Sequence, residues 1–284
     1  MSLWPWSEKG WRMNPELKTN LKAIWGRAYV RVVGANREPS WIVSETILPV
    51  LAVAAYVYVY RALNPDPLFT SLVILGGAMS AYWMNILWSM AMQFYWEKEM
   101  GNLDLYMIAP ISRMSILLGM AAGGFFFATL RAIAIFVLGI ILFQAEFVVT
   151  SVWKLFLLFF LSMFALYGMG MLFSSIFMLF GRGAWQTSTL FQEPIYLLGG
   201  FYYPVKTLGA AVAALGSLLP ITLGLDWMRQ LTLKSGKTLG FLSVETEILI
   251  LVGMSVVFLL AAYYSLLFME QLGKKEGKLS LRWQ

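Results

Sequence analysis

The ionisable side chains that could carry chemistry in this chain are few, and one short segment between two long apolar runs concentrates them. The 284 residues include no histidine and no cysteine, which excludes thiolate chemistry, histidine proton relays and Cys/His metal sites. Residues 97–113 contain Glu97, Glu99 and Asp104, followed by Pro110. This segment would present a short helix with an apolar face to a soluble partner. Acidic residues and a glycine turn precede the helix, and a proline ends it. An ordinary solvated loop is the alternative.

Two further ionisable residues, Arg131 and Glu193, lie within apolar runs, where a charge is costly and faces a partner or an aqueous cavity. We hypothesise that they form a buried ion pair or share a polar path. Pro194 and Tyr202 complete this candidate translocation path. A purely structural ion pair is the alternative. Glu45, near the inner end of the first apolar run, is expected to snorkel to the interface.

The composition places most of the chain in lipid. Of its residues 60% are hydrophobic and 13% are charged, whereas soluble proteins carry about a quarter charged residues. Because about twenty apolar residues cross a bilayer, we predict an all-α membrane protein with six transmembrane helices. A further apolar piece, 207–225, is broken by glycines and a proline, which predicts a re-entrant or interfacial helical hairpin. The predicted spans are 41–60, 68–95, 115–143, 152–180, 185–203 and 246–269.

The basic residues indicate the orientation of these spans. With both termini cytoplasmic, the inside segments hold 14 Lys and Arg residues and the outside segments hold six, in agreement with the positive-inside rule. The net charge of +6 therefore favours orientation in the plasma membrane over binding to nucleic acid. We divide the chain into a cytoplasmic segment at 1–40, a transmembrane domain at 41–270 and a basic cytoplasmic tail at 271–284.

The N-terminal segment lacks the apolar core of a secretory signal peptide. It is predicted to form an amphipathic helix in the cytoplasmic interface, with its cations near anionic headgroups. A plain cytoplasmic helix is the alternative. Its cations are Lys18, Lys22, Arg27 and Arg31, and its apolar residues, at steps of three and four, are Leu17, Leu21, Ile24, Trp25, Ala28 and Val32.

Two motifs resemble the ABC-2 type exporter permeases. In that family a cytoplasmic loop commonly reads Glu-Arg-Glu-x-Gly-Thr-Leu-Glu, then a few apolar residues and Pro-x-Ser. Here Lys98, Asn102 and Asp104 are conservative departures, and Tyr106 replaces an aliphatic residue. The family's outer segment reads roughly Gly-x-Phe-Phe-Pro, a hydrophobic hairpin, Leu-Pro-x-Thr and then an arginine. The matching residues here are Gly199-Gly200-Phe201-Tyr202-Tyr203-Pro204-Val205, Leu218-Leu219-Pro220-Ile221-Thr222 and Arg229.

The resemblance implies a permease that dimerises, with itself or with a different permease, and binds two cytoplasmic ATP-binding subunits. ATP and Mg would belong to those subunits. This chain is expected to be a transport subunit without cofactor, metal or catalytic activity, since its only Gly-Lys-Thr, at 236–238, has Leu231 where a P-loop needs its first glycine.

The resemblance also implies roles for both motifs. In the loop, Glu97 and Glu99 would pair with basic residues of the ATPase, and three apolar side chains would enter its groove. The outer hairpin at 204–226 would cap the exit between two protomers, with simple interfacial packing as the alternative. The implied coupling residues are Glu97, Glu99, Gly101, Leu103, Asp104, Leu105, Ile108, Pro110, Ser112 and Arg113, and those of the hairpin are Pro204, Pro220, Thr222 and Arg229.

The function expected from this reading is ATP-driven export of a hydrophobic or amphiphilic cargo, such as a drug, a lipid or a lipid-linked glycan. The Gly-Phe-Tyr-Tyr-Pro element is closer to the drug- and lipooligosaccharide-export branch. A gradient-driven carrier or channel is the main alternative, and an intramembrane lipid-modifying transferase is a further one. Within the third span, Gly119-x-x-x-Gly123 predicts the close approach of another helix.

Overall fold

The protein is predominantly helical across the residues that its computed structural model describes, which are 14–35, 39–63, 66–177, 183–234 and 236–276. No strand occurs within these ranges, so the prediction of an all-α protein is confirmed. The predicted basic tail lies largely outside the described residues, as do Arg182 and the side chains of Glu45 and Asp104. The α-helices within the described ranges are α1 Pro15–Ala35, α2 Pro39–Leu63, α3 Pro67–Met84, α4 Gln93–Glu99, α5 Leu103–Ile108, α6 Arg113–Phe143, α7 Val152–Phe177, α8 Gly183–Leu198, α9 Ala210–Gly216, α10 Pro220–Thr232, α11 Gly236–Leu239 and α12 Val244–Glu276.

Five helical stretches in the described part of the chain are long and apolar enough to cross a membrane, and six if the bent pair α9 and α10 counts as one span. The predicted span at 185–203 is the exception, because α8 has only 16 residues there. At 1.5 Å per residue α8 is about 24 Å long, shorter than the roughly 30 Å hydrocarbon core. The five stretches are Thr46–Leu63, Pro67–Glu99, Arg113–Phe143, Val152–Phe177 and Val244–Gly273.

The second of these stretches forms the centre of the bundle. In its most apolar window 78% of the residues are buried, against 11% in Thr46–Leu63 and 17% in Val244–Gly273. Between α3 and α4 it changes to a π-helix, Asn85–Ala91, a form that occurs mostly as short segments and often at functional sites. Gly124 of α6 makes room for this π-helix, because a Cβ atom there would lie 2.5 Å from Asn85 Oδ1.

The close helix approach predicted at Gly119 and Gly123 is confirmed, and the approaching helix is α1. A Cβ atom on Gly119 would lie 2.7 Å from the carbonyl oxygen of Ile24, and one on Gly123 would lie 3.0 Å from Arg31 Cβ. Nearer the start of both helices, the side chain of Asn20 accepts a hydrogen bond of 2.8 Å from the backbone N–H of Ser112. The contacts therefore advance along α1 and α6 in the same order, so the two helices run in the same direction.

The orientation of α1 about its own axis corrects the expectation that all its cations face lipid headgroups. Arg27 and Arg31 face the protein, where the backbone and side chains of later helices accept their hydrogen bonds. The exposed face instead carries a stripe of apolar side chains at steps of four residues. These are Leu17, Leu21, Trp25 and Tyr29. This stripe fits a helix that rests against hydrocarbon, and its place in the membrane interface stays a prediction.

The contact between α1 and α6 predicts a difference between two glycine substitutions. Gly119→Ala should lower the free energy of unfolding by about 1–3 kcal/mol, because the added methyl group overpacks against the backbone of α1. Gly26→Ala is the matched control on α1 itself, where a Cβ atom meets nothing within 4 Å. It should be neutral or stabilising, because alanine favours a helix over glycine by about 0.5–1 kcal/mol. Thermal unfolding in mild detergent measures both, and equal effects would contradict the packing described.

Candidate functional site

The segment 97–113 consists of two short helices joined by a tight turn. After α4 the chain reverses at Gly101, whose φ of +74° lies in the left-handed region that glycine adopts without strain. Helix α5 then runs for six residues and ends at Ile108. Ala109 is extended, as expected for a residue before proline, and α6 begins at Arg113.

Glu97 lies at the centre of this segment and is buried. Its carboxylate forms an ion pair with Arg27 of α1. It also accepts hydrogen bonds from Gln93 Nε2 at 2.8 Å, Asn102 Nδ2 at 3.0 Å and the Tyr106 hydroxyl at 3.3 Å. The prediction that Glu97 pairs with a basic residue of an ATPase is therefore wrong for this arrangement, because donors within the chain satisfy the buried charge.

The neighbouring Arg31 attaches α1 to the π-helix. It donates to the carbonyl oxygen and the hydroxyl of Ser89, to Gln93 Oε1 at 3.2 Å and to the carbonyl oxygen of Met120 at 3.5 Å. Burial lowers the pKa of Arg31 to about 10, so it remains charged at neutral pH. Arginine, with five donors in a planar fork, suits a site that offers several acceptors.

The apolar side chains of α5 divide between the interior and the surface. Leu103 is buried in the protein's main hydrophobic core, which corrects its predicted place in the ATPase groove. Leu105 and Ile108 point outward, with 59% and 81% of their surface exposed. Exposed Glu99 and Met100 precede them at the turn. We call Glu99, Met100, Leu105 and Ile108 the loop surface.

The end of the segment is joined to the last helix. Arg113 forms an ion pair of 3.1 Å with Glu270 of α12, a residue that is itself buried. The backbone N–H of Ser112 is bound by Asn20 of α1, as described above. Pro110, between α5 and these contacts, is exposed. The segment is thus held to α1 on one side and to α12 on the other.

The hypothesised ion pair does not form between Arg131 and Glu193, both of which the structure describes. The two ion pairs among the described side chains are Arg27–Glu97 and Arg113–Glu270. Glu193 is exposed on α8, and its carboxylate accepts a hydrogen bond of 3.2 Å from Gln192. Arg131 is half-buried on α6. The hypothesised polar path remains a prediction.

Two other residues of the candidate path have defined surroundings. Pro194 lies inside α8, which nevertheless continues for four residues beyond it. The ring of Tyr202 stacks on that of Tyr56, with 4.0 Å between the centroids. Its carbonyl oxygen accepts a hydrogen bond of 2.8 Å from the Tyr60 hydroxyl. These contacts connect the segment after α8 to the C-terminal half of α2.

The π-helix also contacts α8 beside Glu193. Trp88 Nε1 donates a hydrogen bond of 2.9 Å to Gln192 Oε1. The π-helix is therefore bound on one side by Arg31 of α1 and on the other by Gln192. Sequence reasoning missed these contacts; the spacing of four residues between Arg27 and Arg31, which places them on one face of α1, is the one signal that could have indicated part of them.

The predicted outer hairpin is a helical pair with a sharp bend, since α9 and α10 meet at 110°. Pro220 opens α10, as proline often does at the first position of a helix, and Pro204 precedes a 3₁₀ turn. The Thr222 hydroxyl donates to the carbonyl oxygen of Leu198 at 3.4 Å. The hairpin shape agrees with the prediction for 207–225, and its depth in the membrane remains predicted.

Arg229 fastens this hairpin to the turn after α8. It is buried, and its Nη atoms donate to the carbonyl oxygens of Gly200 at 2.7 Å, Phe201 at 2.9 Å and Tyr203 at 3.0 Å. Three backbone dipoles thus stabilise a charge that would otherwise be costly to bury. The guanidinium fork matches converging carbonyls better than a lysine ammonium would.

Because Glu97 is buried and Glu99 is exposed, we predict that the same Glu→Gln substitution has unequal effects on stability at these two positions. Glu97→Gln should lower the free energy of unfolding by about 3 kcal/mol, because it leaves Arg27 without its counter-charge in a buried site. Glu99→Gln, the matched control two residues on, should have little effect, as surface substitutions usually do. Thermal unfolding of the purified protein distinguishes them, and a harmless Glu97→Gln would disprove the structural role of the pair.

The comparisons with known proteins agree with this geometry. No curated protein matches the chain. The sequence model of the ABC-2 type transporter family matches residues 19–233, a range that includes most of α1, the segment 97–113 and the outer hairpin. Members of this family are membrane subunits for transport rather than catalytic subunits. The chain therefore belongs to the ABC-2 type transporter family and is the multi-pass membrane permease of an ABC transporter.

Proposed function

We propose that this permease exports a hydrophobic or amphiphilic cargo and is driven by ATP hydrolysis on two cytoplasmic ATP-binding subunits that dock on the loop surface. The observation that carries the proposal is the exposure of Leu105 and Ile108 on a short helix outside the candidate spans. Covering a leucine or isoleucine contributes about 1.5–3 kcal/mol each. A groove on a soluble partner would supply that cover, and exposed Glu99 would add an ion pair at its rim.

Movement of the docked loop would pass to the centre of the bundle. Helix α4 follows the π-helix directly, and the Arg27–Glu97 and Arg31–Ser89 contacts tie both to α1. These elements would move together when closing ATPases push α5. Because Trp88 of the π-helix is bonded to Gln192, the displacement would reach α8 beside Glu193.

The cargo path in this proposal lies between two copies of the permease, of the same or different sequence. The stretches Thr46–Leu63 and Val244–Gly273 bury little of their apolar surface within one chain, so a second copy and lipid are left to cover it. Glu193, Pro194 and Tyr202 would line the path from α8, and Arg131 would lie deeper in the wall. A mostly apolar lining suits a drug, a lipid or a lipid-linked glycan, as in the drug- and lipooligosaccharide-export branch.

The outer hairpin would close the exit of this path. Arg229 holds α10 against the turn at 200–203. When cargo leaves, α10 and this turn would therefore move as one body, or they would separate if these hydrogen bonds break. Both termini would be cytoplasmic, with the protein in the plasma membrane, ATP and Mg held by the partner subunits, and α1 against the inner leaflet.

If the ATP-binding subunit docks on the loop surface, substitution of a single exposed residue there should remove it from the complex. In mild detergent the wild-type protein should co-purify with an ATP-binding subunit, and Ile108→Asp should abolish or strongly reduce this because the charge cannot enter an apolar groove. Leu63→Asp is the matched control. Leu63 is 79% exposed, close to the 81% of Ile108, and it lies outside the loop surface, at the C-terminal end of α2. Glu99→Arg should weaken the complex by reversing a rim charge.

Three outcomes bear on the proposal. If the partner is retained by Ile108→Asp, docking occurs elsewhere. If it is lost with Leu63→Asp as well, the effect is unspecific. If no ATP-binding subunit accompanies the wild type, a gradient-driven carrier or channel becomes the better reading, and transport in vesicles without ATP would support it.

A role for Glu193 in the path predicts a transport defect without a folding defect. Glu193→Gln should reduce efflux of hydrophobic dyes from cells several-fold. The thermal unfolding midpoint should stay unchanged, because the other helices of the same chain leave the Glu193 side chain exposed. Glu146→Gln, at an exposed acid in the connection between α6 and α7, controls for loss of charge as such. Intact efflux with lowered stability would assign Glu193 a structural role instead.

A further inference from the structure

Two buried carboxyl groups meet where the outer hairpin packs against the last span. Asp226 of α10 has 1% of its surface exposed and Glu247 of α12 has none. Gln230 lies between them, with its Nε2 atom 3.4 Å from Asp226 Oδ2 and 3.4 Å from Glu247 Oε2. The backbone N–H of Phe241 donates a further hydrogen bond of 2.8 Å to Asp226 Oδ2.

The second oxygen of each carboxyl group is buried and has no hydrogen-bond donor among the described residues. These atoms are Asp226 Oδ1 and Glu247 Oε1, and the two carboxyl groups are neighbours, because each has an oxygen 3.4 Å from Gln230 Nε2. The site is closely built, because a Cβ atom on Gly240 would lie 2.6 Å from Gln230 Nε2. Two buried acceptors without a donor are therefore held beside the same amide group, and the component that the site lacks is a hydrogen.

The described charged groups on the surrounding elements leave Glu247 without a counter-charge. Arg229 on α10 interacts electrostatically with Asp226, while its Nη atoms donate to carbonyl oxygens of the 200–203 turn. Glu245 of α12 and Lys234 after α10 are exposed, and Lys206 donates to the carbonyl oxygen of Thr238. Neither ion pair of the described residues involves Asp226 or Glu247.

Two neighbouring carboxyl groups do not both stay ionised in a buried site, because they repel each other and lack the solvation that water gives an anion. We propose that Asp226 and Glu247 form a proton-binding site, in which one proton shared between the two carboxyl groups joins the outer hairpin to α12. The proton converts one of two buried acceptors into a donor, as in the paired aspartates of acid proteases. Its loss leaves two neighbouring buried anions, which releases α10 from α12.

A shared proton gives the pair a defined dependence on pH. In the unfolded chain both carboxyl groups lose their protons at about pH 4, whereas the proposed site in the folded protein holds one proton at neutral pH. The folded protein thus binds the proton more tightly, and its stability falls as the pH rises from mildly acidic to alkaline. Glu247→Gln carries a permanent hydrogen-bond donor and no charge, so it should fold and lose this part of the pH dependence.

The test uses the full-length protein in lipid nanodiscs. Infrared spectra at neutral pH should show the carbonyl band of a protonated carboxyl group in the wild type, and this band should disappear in Glu247→Gln and in Asp226→Asn. The thermal unfolding midpoint of the wild type should fall with rising pH more steeply than that of either variant. Glu245→Gln, at the exposed glutamate two residues before Glu247, is the matched control and should keep both the band and the wild-type slope.

The opposite results are equally specific. A wild type without the protonated-carboxyl band at neutral pH overturns the proposal, as does a pH slope that Glu247→Gln leaves unchanged. Unfolding midpoints that rise with sodium but not with choline at neutral pH would show that a metal cation compensates the pair instead of a proton. None of these measurements needs a cargo or an ATP-binding subunit, so they stand apart from the docking experiment.

Discussion

The buried carboxylate of Glu97 provides the interaction on which the part of this permease around the segment 97–113 depends. A charge removed from water must be matched by donors and an opposite charge, and here they come from three helices: Arg27 of α1, Gln93 of α4 and Tyr106 of α5. Satisfying one group therefore holds three elements in one arrangement. The loop surface on α5 is presented by this support, and α1 is bound to the bundle by the same contact.

The half of the protein that contains the outer hairpin compensates buried charges by other means. Arg229 is stabilised by backbone carbonyl oxygens of the turn after α8 and by the charge of Asp226 on the same helix. Asp226 and Glu247 both lie beside Gln230, and in our proposal a shared proton removes their repulsion. Two halves of one protein thus use an ion pair, aligned dipoles and protonation to compensate charges that the bilayer environment makes expensive.

Between the two halves lies the π-helix of the second span. Its contacts with Arg31, with Gln192 and with the small residues Gly124 and Gly170 combine polar attachment with close packing. A wider helical turn in the most buried span is a costly arrangement, and it occurs where α1, α4 and α8 converge. In the proposed mechanism, a push on the loop surface would reach the candidate path through the π-helix, without a direct contact between that surface and the path.

Much of this architecture follows from local chemistry that the sequence states directly. Apolar windows long enough for a bilayer determined the first four spans and the last one. Gly101 and Pro110 determined the turn and the end of α5, and Pro220 with its neighbouring glycines determined the broken hairpin. The Gly119 and Gly123 spacing determined a close helix contact. Each of these depends on residues near one another in the chain, so their types and spacing are sufficient.

The tertiary structure alone decided which charges are buried and what they meet. Arg27 and Glu97 are 70 residues apart, and nothing in the local pattern distinguishes Glu97 from Glu99 or Leu103 from Leu105. Arg131 and Glu193 were a plausible pair by depth, yet α8 packs against α9 and the π-helix and leaves Glu193 exposed. Burial depends on how helices rotate and pack against distant partners, and that is the physical reason why the sequence determined the elements and the fold decided their roles.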